Sequence, residues 1–129
     1  MLHFNKKTKI LKYSGAKISL FCAEEENIEE LKGDKHSIGY NHCQVDYRYK
    51  EHTLNVKEGM KFYITSDGYL DQNGGEKGFP LGKSRFKKFV EKNREFEFAK
   101  QKSMFLEQLS EYQKDEERND DIVFIGFEV

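Results

Sequence analysis

Residues 60–65, Met60-Lys61-Phe62-Tyr63-Ile64-Thr65, put large apolar side chains on both faces of one short extended segment. A strand with this pattern must be covered above and below, so it takes a central position in a sheet. The rest of the chain is arranged around that demand. Strand-like patterns fill the sequence to about residue 66, helix-like patterns fill 84–113, and a last strand over 122–129 closes it. The spacing predicts strands at 10–13, 17–23 and 28–31, with Ser14-Gly15-Ala16 between the first two. The acidic run Glu24-Glu25-Glu26-Asn27 reads as a solvated hairpin turn. Alternation is clearest over 44–53, where Val45, Tyr47 and Tyr49 interleave with Asp46, Arg48 and Lys50, the period of a half-buried strand. Val56-Lys57-Glu58-Gly59 reads as a turn, and Cys22 as a small core residue.

Beyond Gly68 the text is loop-like through Gly78 and reads as a mobile flap. Ser84 is placed to cap a helix carrying Phe86, Phe89 and Val90 on one stripe. A second helix over 99–113 aligns Phe105, Leu109 and Tyr112. This order favours strands packed under amphipathic helices, an α+β arrangement in two layers.

Composition sets the limits. The 129 residues suit one small domain, or part of one, so 1–129 is treated as a single, partial unit. Leu, Ile, Val and Phe make up about a quarter of the chain, above the ~20% below which chains tend to stay disordered. Charged residues reach 35% and the mean hydropathy is −0.87, so the core is thin. A net charge of −1 gives no general attraction for nucleic acid or an anionic membrane. No apolar run approaches the roughly 20 residues that span a bilayer. The start lacks a secretory signal. Two cysteines, Cys22 and Cys43, make no disulfide framework and read as reduced thiols in a cytoplasmic chain.

Acidic residues mark the places where chemistry could sit. Asp67 follows the buried strand directly, and Asp120-Asp121 immediately precede the last one. Carboxylates at strand ends sit on rigid supports, and when they converge they favour a hard cation such as Mg²⁺ or Mn²⁺ between them. Taken alone, the same residues serve equally as a turn and a solvated loop end. His36, His42 and Cys43, with Cys22 able to approach, fit no common zinc spacing. Gly82-Lys83-Ser84 lacks the loop length of a nucleotide-binding glycine motif. Lys83, Arg85, Lys87 and Lys88 read as a solvated helix face, and Phe96 and Phe98 as hydrophobic anchors.

Four segments in order, Tyr13-Ser14-Gly15-Ala16, Leu31-Lys32-Gly33-Asp34-Lys35-His36-Ser37-Ile38-Gly39-Tyr40, Gly59-Met60-Lys61-Phe62-Tyr63-Ile64-Thr65-Ser66-Asp67-Gly68-Tyr69-Leu70-Asp71 and Asn119-Asp120-Asp121-Ile122-Val123, carry a resemblance. From about residue 9 to 129 the chain resembles the C-terminal part of metal-dependent protein serine/threonine phosphatases of type 2C. The nearest branch is the bacterial one named for sporulation stage II protein E. The resemblance implies a layered α-β-β-α sandwich with a two-metal cleft, holding Mn²⁺ or Mg²⁺, where an activated water attacks phosphoserine or phosphothreonine. By motif it makes Asp67 and Asp120 metal ligands and Asp121 a group at the cleft edge behind them. No acid–base residue is assigned. It also implies a phosphoprotein substrate such as an anti-sigma-factor antagonist, with sensor or regulatory segments attached or in partner chains.

Two departures matter. Val123 stands where the family usually has threonine. The family's N-terminal strands, whose Gly-Asp motif supplies a bridging carboxylate, have no counterpart, and Gly33-Asp34 belongs to another segment. The expectation is therefore a sandwich lacking its N-terminal strands and weak as a catalyst on its own. Exposed strand edges and an apolar helix-packing face would then invite a homodimer. The alternative is a non-catalytic binding or dimerisation module of the same fold.

Overall fold

The computed structural model describes residues 1–24, 27–39 and 46–129. A small antiparallel sheet joins β1 (Leu2–Asn5), β2 (Ile10–Tyr13) and β5 (His52–Asn55) in the order β1-β2-β5. A larger antiparallel sheet has the order β4-β3-β6-β9, from β3 (Leu20–Glu24), β4 (Asn27–Leu31), β6 (Lys61–Thr65) and β9 (Phe124–Glu128). A short hairpin, β7 (Asn73–Gly74) with β8 (Phe79–Pro80), lies between α1 (Asp67–Leu70) and α2 (Gly82–Asn93), and α3 (Phe98–Gln113) precedes β9.

The two-faced run predicted to be central is central. β6 sits between β3 and β9, with Phe62 paired to Cys22 and Phe127, and Tyr63 paired to Phe21 and Gly126. Phe62 enters a core between the two sheets with Leu11, Tyr13, Leu20, Cys22, Leu31, Val56 and Met60. Tyr63 enters a second core under the helices with Phe21, Tyr69, Phe86, Val90, Phe105 and Leu109. The layers therefore run sheet, sheet, helix, one more than strand-under-helix patterning alone implied. The described helices all pack on one face of the larger sheet, so the described residues do not form the second helical layer of an α-β-β-α sandwich.

The outer face of the small sheet carries exposed His3, Asn5, Lys12, Thr53 and Asn55, with half-buried Ile10 among them. It is therefore largely polar rather than a broad apolar helix-packing face. An uncovered apolar surface does occur, but on β9, the edge strand of the large sheet. Val123, just before it, and Ile125 share the inter-sheet face with buried-side Phe127 and are 54% and 49% exposed.

Several local expectations shift. Residues 44 and 45 lie outside the described residues, and 46–51 form no ladder; the strand is His52–Asn55. The alternation at 47–50 serves other contacts. Tyr47 stacks on His36 at 3.8 Å, Tyr49 donates its hydroxyl to the Ser37 carbonyl, and the Lys50 amide donates to the Asp34 carboxylate. A backbone donor committed to a side chain cannot extend a ladder. The strand predicted at 17–23 begins at Leu20, because Lys17 adopts φ +62° and breaks the extended run. The Glu24–Asn27 turn includes Glu25 and Glu26, which lie outside the described residues, as do His42 and Cys43 of the zinc reading.

Helix α2 starts at Gly82, so Ser84 lies inside its first turn rather than capping it. The flap is pinned. The Gly75 amide donates to the Tyr112 carbonyl at 2.7 Å, and the Tyr112 hydroxyl donates to the Phe79 carbonyl at 2.9 Å. At Gly74 a Cβ would sit 1.9 Å from the Tyr112 carbonyl oxygen, a backbone contact only glycine permits. The basic face is partly bonded: Lys83 and Lys87 both pair with Glu30 on β4, and Arg85 lies over the Tyr112 ring. Phe98 packs against the helix-side core, whereas Phe96 stays at the surface beneath Lys100.

Candidate metal centre

The site is built where β6 and β9 end together. Their ladder closes on the pair Thr65↔Phe124, and the two chains stay bonded past it. The Ser66 amide donates to the Val123 carbonyl at 2.9 Å, and the Val123 amide donates to Ser66 Oγ at 3.0 Å. Ser66 Oγ in turn donates to the Asp121 carbonyl at 3.1 Å, and Thr65 Oγ1 to the Val123 carbonyl at 3.1 Å. Two hydroxyls thus continue the sheet by one step where the backbone ladder stops.

The next residues turn sharply. Asp67 opens the single turn α1, closed by the Asp71 amide bonding to the Asp67 carbonyl at 2.7 Å. Gly68 is buried against the opposite segment. A Cβ there would lie 2.3 Å from the Asp121 carbonyl oxygen and 3.3 Å from the Asp120 carbonyl carbon. Only a glycine backbone lets the Asp67 turn approach the Asp120-Asp121 pair this closely. Below, Gln72 is fully buried and stitches the same two segments. Its Nε2 donates to the Glu117 carbonyl at 2.9 Å, and Asn119 Nδ2 donates to the Asp71 carbonyl at 2.9 Å.

Asp67, Asp120 and Asp121 are all exposed, at one end of the large sheet. Asp67 Oδ1 accepts the Gly68 amide at 3.1 Å and Asp120 Oδ1 accepts the Asp121 amide at 2.7 Å. These bonds orient each carboxylate from its own backbone. Asp121 contributes mainly through that backbone, its carbonyl holding Ser66 and its amide holding Asp120. All-oxygen donors fit a hard divalent cation in kind. They fall short in number, since among the described residues no group of three or more His, Cys, Asp or Glu could hold a metal.

Two clefts open onto Asp67. The larger, about 590 Å³, is lined by Tyr13, Gly15, Lys17, Ile18, Ile38 and Ile64 among others. The smaller, about 180 Å³, is bordered by Lys17, Ser19, Thr65, Asp71 and Lys83. Cys22 is far from such chemistry in character: it is buried between the sheets, and burial, with Glu24 and Glu29 nearby, pushes its thiol up to about 12. It is a core residue, as its pattern indicated.

Sequence reasoning missed Ser66, Gln72, Asn119 and Lys17. Each was inside or beside a quoted motif, but their roles come from contacts over long sequence separations, such as the 48 residues between Asp71 and Asn119. The available signal was a polar residue beside a two-faced strand, which has to find a partner once buried.

The family model described as Stage II sporulation protein E (SpoIIE) matches residues 1–129. Among solved structures, the SiaA-PP2C domain of Pseudomonas aeruginosa is 34% identical with a TM-score of 0.87, over 96% of this chain and 48% of that one. RsbX in complex with magnesium is 20% identical with a TM-score of 0.56, over 97% of this chain and 52% of that one, and shows the fold alone. The chain therefore spans about half the length of the solved structures it matches. No curated protein matches it.

Proposed function

This chain belongs to the Stage II sporulation protein E family, and from that premise we propose that it is the Asp67/Asp120 half of a metal-dependent protein serine/threonine phosphatase site. The observation that carries the proposal is the contact of Gly68 with the Asp120-Asp121 backbone, which fixes the two acid-bearing strand ends against each other. Mn²⁺ or Mg²⁺, two ions in the complete site, would supply a water activated near neutral pH and neutralise phosphoryl oxygens. This chain's own residues would orient and exclude. Asp67 and Asp120 offer the cation-facing oxygens, Asp121 and Ser66 hold them at the cleft edge, and the Ile18 and Ile38 walls flank the phosphorylated segment.

Two carboxylates cannot hold two hydrated divalent ions, so hydrolysis by the isolated chain is weak, and the missing oxygens come from a segment outside it. The substrate is a phosphoserine or phosphothreonine protein of bacterial signalling, of the anti-sigma-factor-antagonist type, under control of sensor or regulatory segments. These assignments rest on the family. In the described residues no helix is long and apolar enough to cross a membrane. The charge balance and the thiols support reading the setting as cytoplasmic, with neither nucleic acid nor membrane as a partner.

The short donor set favours one rival, a non-catalytic module that binds a partner or dimerises. Thermal melts separate the two. The phosphatase reading expects millimolar Mn²⁺ to raise the melting temperature, and Asp67→Asn or Asp120→Asn to remove the gain. A melting temperature indifferent to Mn²⁺ favours the module.

A further inference from the structure

Lys17 is held in a conformation that lysine has no intrinsic reason to adopt. Its φ of +62° lies in the left-handed region that favours glycine, asparagine or aspartate. Lys9 and Lys114, the other non-glycine residues at positive φ among the described residues, occupy a strand–strand turn and a helix end. Lys17 instead sits between β2 and β3, in a loop fixed from every side. Its amide donates to the Asp34 carbonyl at 2.7 Å, and the Asp34 amide donates to the Gly15 carbonyl at 2.8 Å. The Tyr13 hydroxyl donates to the Ile18 carbonyl at 2.6 Å. A Cβ on Gly15 or Gly33 would lie 2.3 or 2.1 Å from the Ile18 carbonyl oxygen. These contacts hold the Lys17 backbone in place and fix where its side chain starts.

That side chain borders both clefts that Asp67 borders, and among the described residues no acid pairs with its ammonium. Across the smaller cleft stands Lys83. Its ammonium is oriented by Glu30 at 2.5 Å and lies 3.4 Å from Ser19 Oγ. Glu30 also takes Lys87, so this acid is shared between two lysines and does not cancel them. The cleft is thus bordered by two lysines, one from the β2–β3 loop and one from the first turn of α2, together with Asp67 and Asp71. A cation held at Asp67 would leave the pocket positive, with two amine donors on its border.

We propose that Lys17 and Lys83 form an oxyanion subsite beside Asp67 that takes the phosphoryl group of the substrate. The inference rests on the phosphatase reading for the identity of the anion. Lys17 and Lys83 provide charge-assisted hydrogen bonds to phosphoryl oxygens, which the cation side of the site cannot reach from the opposite direction.

The test is a titration of the chain with inorganic phosphate in Mg²⁺, read by amide chemical shifts against chloride of equal ionic strength. The expected shifts centre on residues 17 and 82–83. Lys17→Gly removes the amine and suits the backbone. It is expected to keep or raise the melting temperature while weakening phosphate binding about tenfold, and Lys17→Arg restores it to within about twofold. Lys83→Ala weakens binding without loss of fold. If Mg²⁺ shifts the Asp67 and Asp120 amides but Lys17→Gly and Lys83→Ala bind phosphate like the wild type, the subsite is wrong and the phosphatase reading stands. If phosphate shifts Lys17 and Lys83 while Mg²⁺ leaves residues 67 and 120 untouched, the subsite stands and the phosphatase reading falls.

Discussion

The two faces of the large sheet are finished to different degrees. Its helix-side face is an aromatic core in which Tyr63, Tyr69 and Phe86 each lie within ring-contact distance of both Phe105 and Phe124. The two phenols there are satisfied: Tyr63 donates to Gln101 at 2.9 Å and Tyr69 to Gln108 at 2.8 Å. Burial pushes the Tyr63 hydroxyl up to about 12 and raises that of Tyr69 further. The inter-sheet face mixes aliphatic side chains with Phe62 stacked on Phe127, and it is covered only where the small sheet reaches. Over β9 it stops, leaving Ile125 half exposed beside the acid-bearing strand ends. The helical side is the better filled, although an apolar cleft of about 360 Å³ remains between α3 and β9, whereas the inter-sheet cover stops short of β9.

Perturbing each face tests this contrast. The largest effect is expected at Phe105, whose ring centroid lies 4.1 Å from that of Phe124; Phe105→Ala should cost about 3–5 kcal/mol in urea unfolding. A loss below about 1 kcal/mol would mean that the helix-side core is not the stabilising one. Next comes Gly68→Ala, whose new Cβ meets the Asp121 carbonyl. About 1–3 kcal/mol should be lost, together with the Mn²⁺ gain in melting temperature, because the strand ends are forced apart.

Glu30 sharpens the picture at low pH. Burial raises its carboxyl, but hydrogen bonds from Lys83 and Ser19, and then the Lys83 charge and Lys87, outweigh that and hold it below its ordinary 4.5. Its folded value is the lower one, so its contribution is fully present above the unfolded value and is lost as pH falls through the folded one. Glu30→Gln should therefore cost on the order of 1 kcal/mol at neutral pH and converge with the wild type only once the pH has fallen below the lowered folded value. A constant gap across that range would contradict the ion-pair account. The smallest effect is expected from Ile125→Ser, within about 0.5 kcal/mol, on the face the small sheet does not reach. A cost as large as that of Phe127→Ala would show the face to be covered.

What could be read in the sequence was what its own neighbours decide. The double-sided apolar run of β6, the stripe of Phe105 and Leu109 on α3, and Cys22 in a core all follow from periodicity, which is local. The 46–51 segment misled because alternating tyrosines fit a ladder and a loop rim equally; Asp34 and Ser37, distant in sequence, decided between them. β1 went unread because four residues with His3 and Asn5 outward give too short a signal. At the candidate site the aspartates were legible as motifs, whereas the clamp that brings them together was not. It consists of Ser66, Gly68, Gln72 and Asn119 reaching across some fifty residues of chain.

The proposed metal centre requires Asp67 and Asp120 to serve one cation. Substoichiometric Mn²⁺ added to isotopically labelled chain should broaden the amide signals of Asp67, Gly68, Asp120 and Asp121 together, with Asp67→Asn relieving the broadening at 120 and 121 as well as at 67. Broadening confined to one of the two segments, or centred elsewhere in the molecule, would contradict the account.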